Sequence, residues 1–207
     1  MKNKIIITLT IVVLVFCTGS ISYASAGEVS PYVGIAYGPG SATQTSSYTS
    51  SLSGNVFNTS ISGGITYENL RAELAYSVYS TLDDYISIKS VPSARFQAET
   101  KNMNSVLFNA FYYFPGEDAG HFFIGAGTGF TKSETIINVS GVPVSGTSPF
   151  SLTFAIYGGF TANLSDKFSV DAFAKYMWVD SDMQILGESI KIKTSAFGLG
   201  LGLRFKI

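Results

Sequence analysis

The chain has 207 residues, 13 Lys and Arg against 14 Asp and Glu, one cysteine, and only 13% charged residues, about half the share of an ordinary soluble domain. With a mean hydropathy of +0.28 and no basic excess, it is not built to bind nucleic acid. A single cysteine also excludes a disulfide framework.

Residues 1–26 read as a cleaved signal peptide. Lys2 and Lys4 form a basic start, Ile5 to Phe16 an apolar run, and Ala24-Ser25-Ala26 a small-x-small cleavage site. Cys17 would suit a lipid anchor only after a smaller residue than Phe16. Residues 27–207 form the second unit, a β-barrel domain that contains no cysteine. Without Lys2 and Lys4 the basic residues fall to 11 against 14 acidic ones, a net charge of −3. The chain is thus exported and apolar, yet after Ala26 it carries no run of roughly 18 apolar residues.

Period-2 alternation recurs eight times after Ala26, which predicts eight strands. The first spans about Ser30–Gly38 with Val33, Ile35 and Tyr37 on one face; the second spans Phe57–Tyr67 with Phe57, Ile61, Ile65 and Tyr67. The third, Leu70–Ser80, sets Leu70, Leu74, Tyr76 and Val78 against Arg71, Glu73, Ser77 and Tyr79. In the fourth, Thr100–Phe114, Val106, Phe108 and Tyr112 point outward and Asn109 inward. The fifth, Phe122–Phe130, alternates apolar residues with Gly125, Gly127 and Gly129. The sixth, Phe150–Leu164, turns Tyr157 and Thr161 away from Leu152, Phe154 and Ile156. The seventh, Phe168–Asp180, hides Asp171, Phe173 and Lys175 behind Tyr176 and Trp178. The eighth, Lys193–Ile207, alternates Gly198, Gly200, Gly202 and Arg204 with Leu199, Leu201, Leu203 and Phe205.

Long connections rich in Ser and Thr (Pro39–Val56, Thr81–Glu99, Thr131–Pro149) alternate with tight ones at Glu68-Asn69, Pro115–Gly120 and Ser165–Lys167. Strands of about ten residues, with long loops at one end and tight turns at the other, describe an all-β, eight-stranded antiparallel transmembrane up-and-down barrel in a bacterial outer membrane. The apolar face then meets lipid, with Tyr37, Tyr112, Phe122, Trp178 and Phe205 supplying an aromatic girdle. The glycine face lines a narrow interior and makes space for Tyr79, Tyr157, Phe173, Lys175 and Arg204.

Arg71, Glu73, Asp171, Lys175 and Arg204 all fall on that inward face. Charges in so narrow a space must be paired, so the five are expected to form a structural salt-bridge plug; a small ion pathway is the alternative. His121, the single histidine, lies beside a tight turn, which does not suit a Ser/His/acid site at the other rim. Asp83-Asp84 is a loop tip, and Gly125-Ala-Gly127-Thr-Gly129 lacks the spacing and helix of a nucleotide loop. The triplets at Asn58, Asn138 and Asn163 are chance matches to a glycosylation site. No catalytic, cofactor or metal site is expected.

The segments SPYVGIAYG, LRAELAYS, FNAFYYF, FFIGAGTGF, FSVDAFAKYMWV and FGLGLGLRF, in that order and spacing, resemble the OmpA-like and opacity-type family of eight-stranded outer-membrane barrel surface proteins. The resemblance runs from about Ser30 to Ile207. It implies that Arg71, Glu73 and Lys175 belong to an interior charge network, with Asn109 an inward polar position. Such chains commonly end in an aromatic residue read by the barrel assembly machinery, whereas this one ends Phe205-Lys206-Ile207.

The expected role is that of a non-enzymatic surface protein whose extracellular loops adhere, shield or engage another molecule. Its partners would be outer-membrane lipid, the barrel assembly machinery and an extracellular or host ligand. The rivals are a small ion or solute channel and a soluble lipocalin-like barrel, whose apolar face would point inward.

Overall fold

The computed structural model describes residues 29–88, 91–115, 120–139, 142–185 and 188–207; the expected signal peptide, 1–26, lies outside them. They form nine strands: β1 (Val29–Ser46), β2 (Leu52–Tyr67), β3 (Leu70–Tyr79), β4 (Leu82–Ile88), β5 (Val91–Tyr113), β6 (Gly120–Val139), β7 (Val142–Asn163), β8 (Phe168–Ile185) and β9 (Glu188–Lys206). Each pairs antiparallel with its neighbours. β1 also pairs with β9, from Tyr32↔Lys206 to Ser46↔Ile192, and this closes the sheet. β3 and β4 lie end to end against β5 and serve as one stave, so the barrel has the expected eight. Closure leaves no edge for lipid to contact, which is what permits a sheet to cross a bilayer.

The tight end holds both the start of β1 and the end of β9. Its β2–β3 connection has two residues, and Glu68 takes φ 50°, the left-handed conformation that such short hairpins require. The β7–β8 turn is fixed by Ser165, whose Oγ accepts the backbone N–H groups of Lys167 and Phe168 at 3.3 and 3.1 Å.

At the other end the sequence expectation needs correction. The segments read as long loops are mostly strand: β1 continues through Pro39 to Ser46, β5 begins at Val91, β6 runs on to Val139, and β7 starts at Val142. Asp83 and Asp84 sit in β4, not at a loop tip. The connection from β1 to β2 is 47–51 alone.

These extensions invert the barrel's polarity without changing the period. In the lower half Ile35, Phe108, Ile124, Phe154, Leu199 and Leu201 are exposed outward. Phe197–Phe205, at about 3.3 Å per residue and a tilt of about 40°, rises roughly 20–25 Å, the height of an outer-membrane apolar band. Above it, Ser41, Asn55, Gln97, Lys132, Asp180 and Lys193 are exposed on the same face, and opposite charges meet across strands at Asp180↔Lys193 and Lys101↔Glu134. Inside, Ala42, Leu52, Val56, Leu82, Ile86, Ala98, Met103 and Val179 form one buried apolar cluster, with Phe96 and Ile137 against it. Each fully buried Leu or Ile there contributes about 1.5–3 kcal/mol. The upper half is therefore a dome with its own apolar core.

Three register shifts on neighbouring strands fall at one level, between Lys101 and Asn104 in β5, Thr131 and Ser133 in β6, and Thr147 and Leu152 in β7 against β8, apart from a fourth at Ser87/Ile88 near the end of β4. Bulges bend strands and raise their twist, so this row marks where lower barrel becomes dome. Asn102, with φ 52°, is of a type that tolerates the left-handed conformation, and its Nδ2 donates to Glu134 Oε2 at 3.0 Å.

Candidate functional site

The lower lumen gathers the charged side chains. β3 projects Arg71 and Glu73 inward, β8 projects Asp171 and Lys175, and β9 projects Arg204; each lies in the phase opposite to the lipid-facing residues of its strand. Asp171 is the hub. Its Oδ2 accepts Arg71 Nη1 at 2.8 Å and Arg204 Nε at 2.9 Å, while its Oδ1 accepts Arg204 Nη2 at 2.9 Å and the Thr161 hydroxyl at 2.7 Å. Arg71 also donates from Nη1 to the Tyr113 hydroxyl at 2.7 Å and lays its guanidinium 3.8 Å from the centre of the Phe111 ring. Its Nε lies 3.9 Å from Glu73 Oε2, too far for a hydrogen bond.

Glu73 is held chiefly by neutral donors. Tyr32 O–H donates to Oε2 at 2.6 Å and Asn109 Nδ2 to Oε1 at 3.1 Å, and Tyr157 O–H donates to Asn109 Oδ1 at 3.2 Å. Lys175 stands apart from the other four. It reaches across the lumen to give a 3.0 Å hydrogen bond to the Tyr79 hydroxyl, and its ammonium lies 5.6 Å from the ring centres of Tyr79 and Tyr157. Among the described residues no carboxylate lies within 4.0 Å of it.

The glycine face makes this crowding possible. A Cβ on Gly200 would strike the Phe173 ring, one on Gly125 the Phe111 ring and one on Gly127 the Asn109 amide. Gly198 and Gly202 are different: a Cβ there finds only ordinary contacts at 3.4 Å or more. On that side the lumen keeps a cavity of about 90 Å³, room for a few water molecules. Above it, Leu107, Met177 and the dome core pack the interior, with spaces of about 10 and 60 Å³ among the described residues.

Below the network the barrel opens into a mouth of about 540 Å³, bordered by Glu68, His121, Asp166, Lys167 and Lys206. His121 sits there beside Tyr113, and its Nδ1 has no hydrogen-bond partner among the described residues. Of the triplet asparagines, Asn58 lines the lumen cavity and Asn163 the mouth. Among the described residues no group of three His, Cys, Asp or Glu side chains converges as a metal site would require.

Sequence reasoning placed Arg71, Glu73, Asp171, Lys175 and Arg204 inward, and Thr161 on the same face, but passed over Tyr32 and Tyr113, which complete the network. Their phase could have revealed them: Tyr32 alternates with Gly34, and Tyr113 with Phe111 and Asn109.

Residues 9–205 match the family model described as outer membrane protein beta-barrel domain. Among solved structures, the chain is similar to neisserial surface protein A, with 19% identity, 87% of this chain and 99% of that one covered, and a TM-score of 0.54. It is also similar to the outer membrane protein OprG from Pseudomonas aeruginosa, with 14% identity, 88% and 96% covered, and a TM-score of 0.53. At these identities the likeness concerns the fold. A comparison with curated protein sequences gives no match.

Proposed function

Because the chain belongs to the outer membrane protein beta-barrel domain family and resides in the bacterial outer membrane, we propose that it is a non-enzymatic surface protein that presents its dome to the environment for adhesion, shielding or binding. On this reading residues 1–26 direct export, the barrel assembly machinery inserts the chain, and outer-membrane lipid surrounds the lower band.

One observation carries it: among the described residues, packed layers cross the interior at successive levels. Ionic network, aromatic layer and apolar core succeed one another, while the outer surface of the dome offers Ser, Thr, charged groups and the exposed rings of Tyr48 and Tyr85. A rigid scaffold carrying exposed polar and aromatic groups is suited to binding. The five charges are structural on this reading, joining β3, β8 and β9 across the lumen.

A channel is the second reading, favoured by the polar lower lumen and its wide mouth. Planar-bilayer recording separates the two. The expected result is little or no steady conductance, and cells displaying the protein should bind a host-surface preparation more strongly than cells displaying a Tyr48→Ser, Tyr85→Ser variant at equal surface density. Large, stable conductance together with unchanged cell binding would replace the surface reading with transport.

A further inference from the structure

The lumen holds one more cation than anion. Among the described residues its charged groups are Arg71, Lys175 and Arg204 against Glu73 and Asp171, and both carboxylates are committed elsewhere. Asp171 is occupied by Arg71, Arg204 and Thr161, and Glu73 by Tyr32 and Asn109. The remaining charge is on Lys175, whose hydrogen-bond partners are two tyrosine hydroxyls, that of Tyr79 at 3.0 Å and that of Tyr157, and no carboxylate. An ammonium without a counter-charge in a low-dielectric interior is strongly disfavoured.

Lys175 borders the cavity of about 90 Å³ that also takes in Asn58, Ser60 and Ser62. These three are inward by phase on β2, and Asn58 is the cross-strand partner of Tyr79. Gly198 pairs with Lys175 across β8 and β9 and leaves space that a side chain would otherwise occupy. A cation lacking a carboxylate, two hydroxyls, an amide and an adjoining space of this size together make a receptor for one small anion.

We infer that this cavity binds a single monovalent anion of halide size beside Lys175, with Asn58, Ser60 and Ser62 as further donors. The anion supplies the counter-charge that the two committed carboxylates do not. It is retained as part of the folded lumen, an ion-binding role beyond the surface reading and independent of it.

The test is refolding of the purified protein into detergent micelles at fixed ionic strength, with chloride or bromide replacing gluconate, which is too large for the space. Halide should raise the unfolding midpoint saturably, by about 5–10 °C at a hundredfold excess over Kd, and Lys175→Met should abolish that dependence. Since Lys175→Met could fail to fold, Asn58→Asp is the second variant. It places a carboxylate in the cavity at almost unchanged volume, so it should be as stable in gluconate as wild type is in chloride and should respond to neither halide. Absence of a saturable halide effect, a halide response preserved in Asn58→Asp, or tyrosinate absorbance showing that Tyr79 itself supplies the negative charge would each overturn the inference.

Discussion

Replacing Asp171 by Asn would test the interior network at its hub. The substitution keeps the shape of the side chain and removes its charge, leaving the guanidinium groups of Arg71 and Arg204 facing an amide that cannot neutralise them. The Asp171 side chain is 7% exposed and that of Arg71 4%, so water offers little relief, and three charge-assisted hydrogen bonds of 2.8–2.9 Å are weakened together. Breaking one buried pair costs about 3–5 kcal/mol, and this change unbalances two cations, so a loss at the upper end of that range is expected. Glu73→Gln is the internal control. Its carboxylate is held by Tyr32 and Asn109, with Arg71 at 3.9 Å, and a glutamine oxygen still accepts a bond, so a loss of about 1–2 kcal/mol follows. Equilibrium urea unfolding in phospholipid vesicles measures both. If Asp171→Asn lost no more stability than Glu73→Gln, the assignment of Asp171 as hub would fail.

Leu201→Arg puts a cation among the lipid-facing residues of the lower band and should destabilise the inserted barrel by about 2–4 kcal/mol if it sits at the midplane; wild-type unfolding in vesicles would contradict the assigned face. Gly200→Leu should cost about 1–3 kcal/mol through overpacking against Phe173, whereas Gly202→Ala, with only ordinary contacts, should fold normally; equal effects in the heat-modifiability assay would undo this distinction. The dome should resist trypsin on intact cells despite exposed Lys132, Lys191 and Lys193, because these residues lie in paired strands. Rapid cutting there would show that the extracellular half is loop-like after all.

The lower barrel was legible because a bilayer imposes one rule on every stave: apolar outside and small or polar inside, at period 2. That rule exposed the inward phase of Arg71, Glu73, Asp171, Lys175 and Arg204. The dome was not legible because it keeps the period and reverses the sides. In β9 the outward row passes from Lys193 and Ser195 to Phe197 and Leu199, while the inward row passes from Ile192 and Ala196 to Gly198 and Gly200. Bulges at 101–104 and 148–151 shift the phase just where a reader needs it, and Pro39, Pro143 and Pro149 resemble loop punctuation. Tyr32 and Tyr113 were overlooked because tyrosines in such chains suggest a girdle, although their phase placed them inside.

The dome also bears on how the molecule stays in place. Each upper hairpin must traverse the bilayer carrying its outward charges, and the apolar cluster of Leu52, Leu82, Ile86 and Ala98, supplied by β2, β4 and β5, can close only when those hairpins have arrived. Once closed it works like the barb of a hook. Withdrawal toward the periplasm would have to dismantle that cluster and drag Asp180, Asp182, Lys191 and Lys193 back through hydrocarbon, so passage outward is easier than return and the finished barrel is held at a single depth.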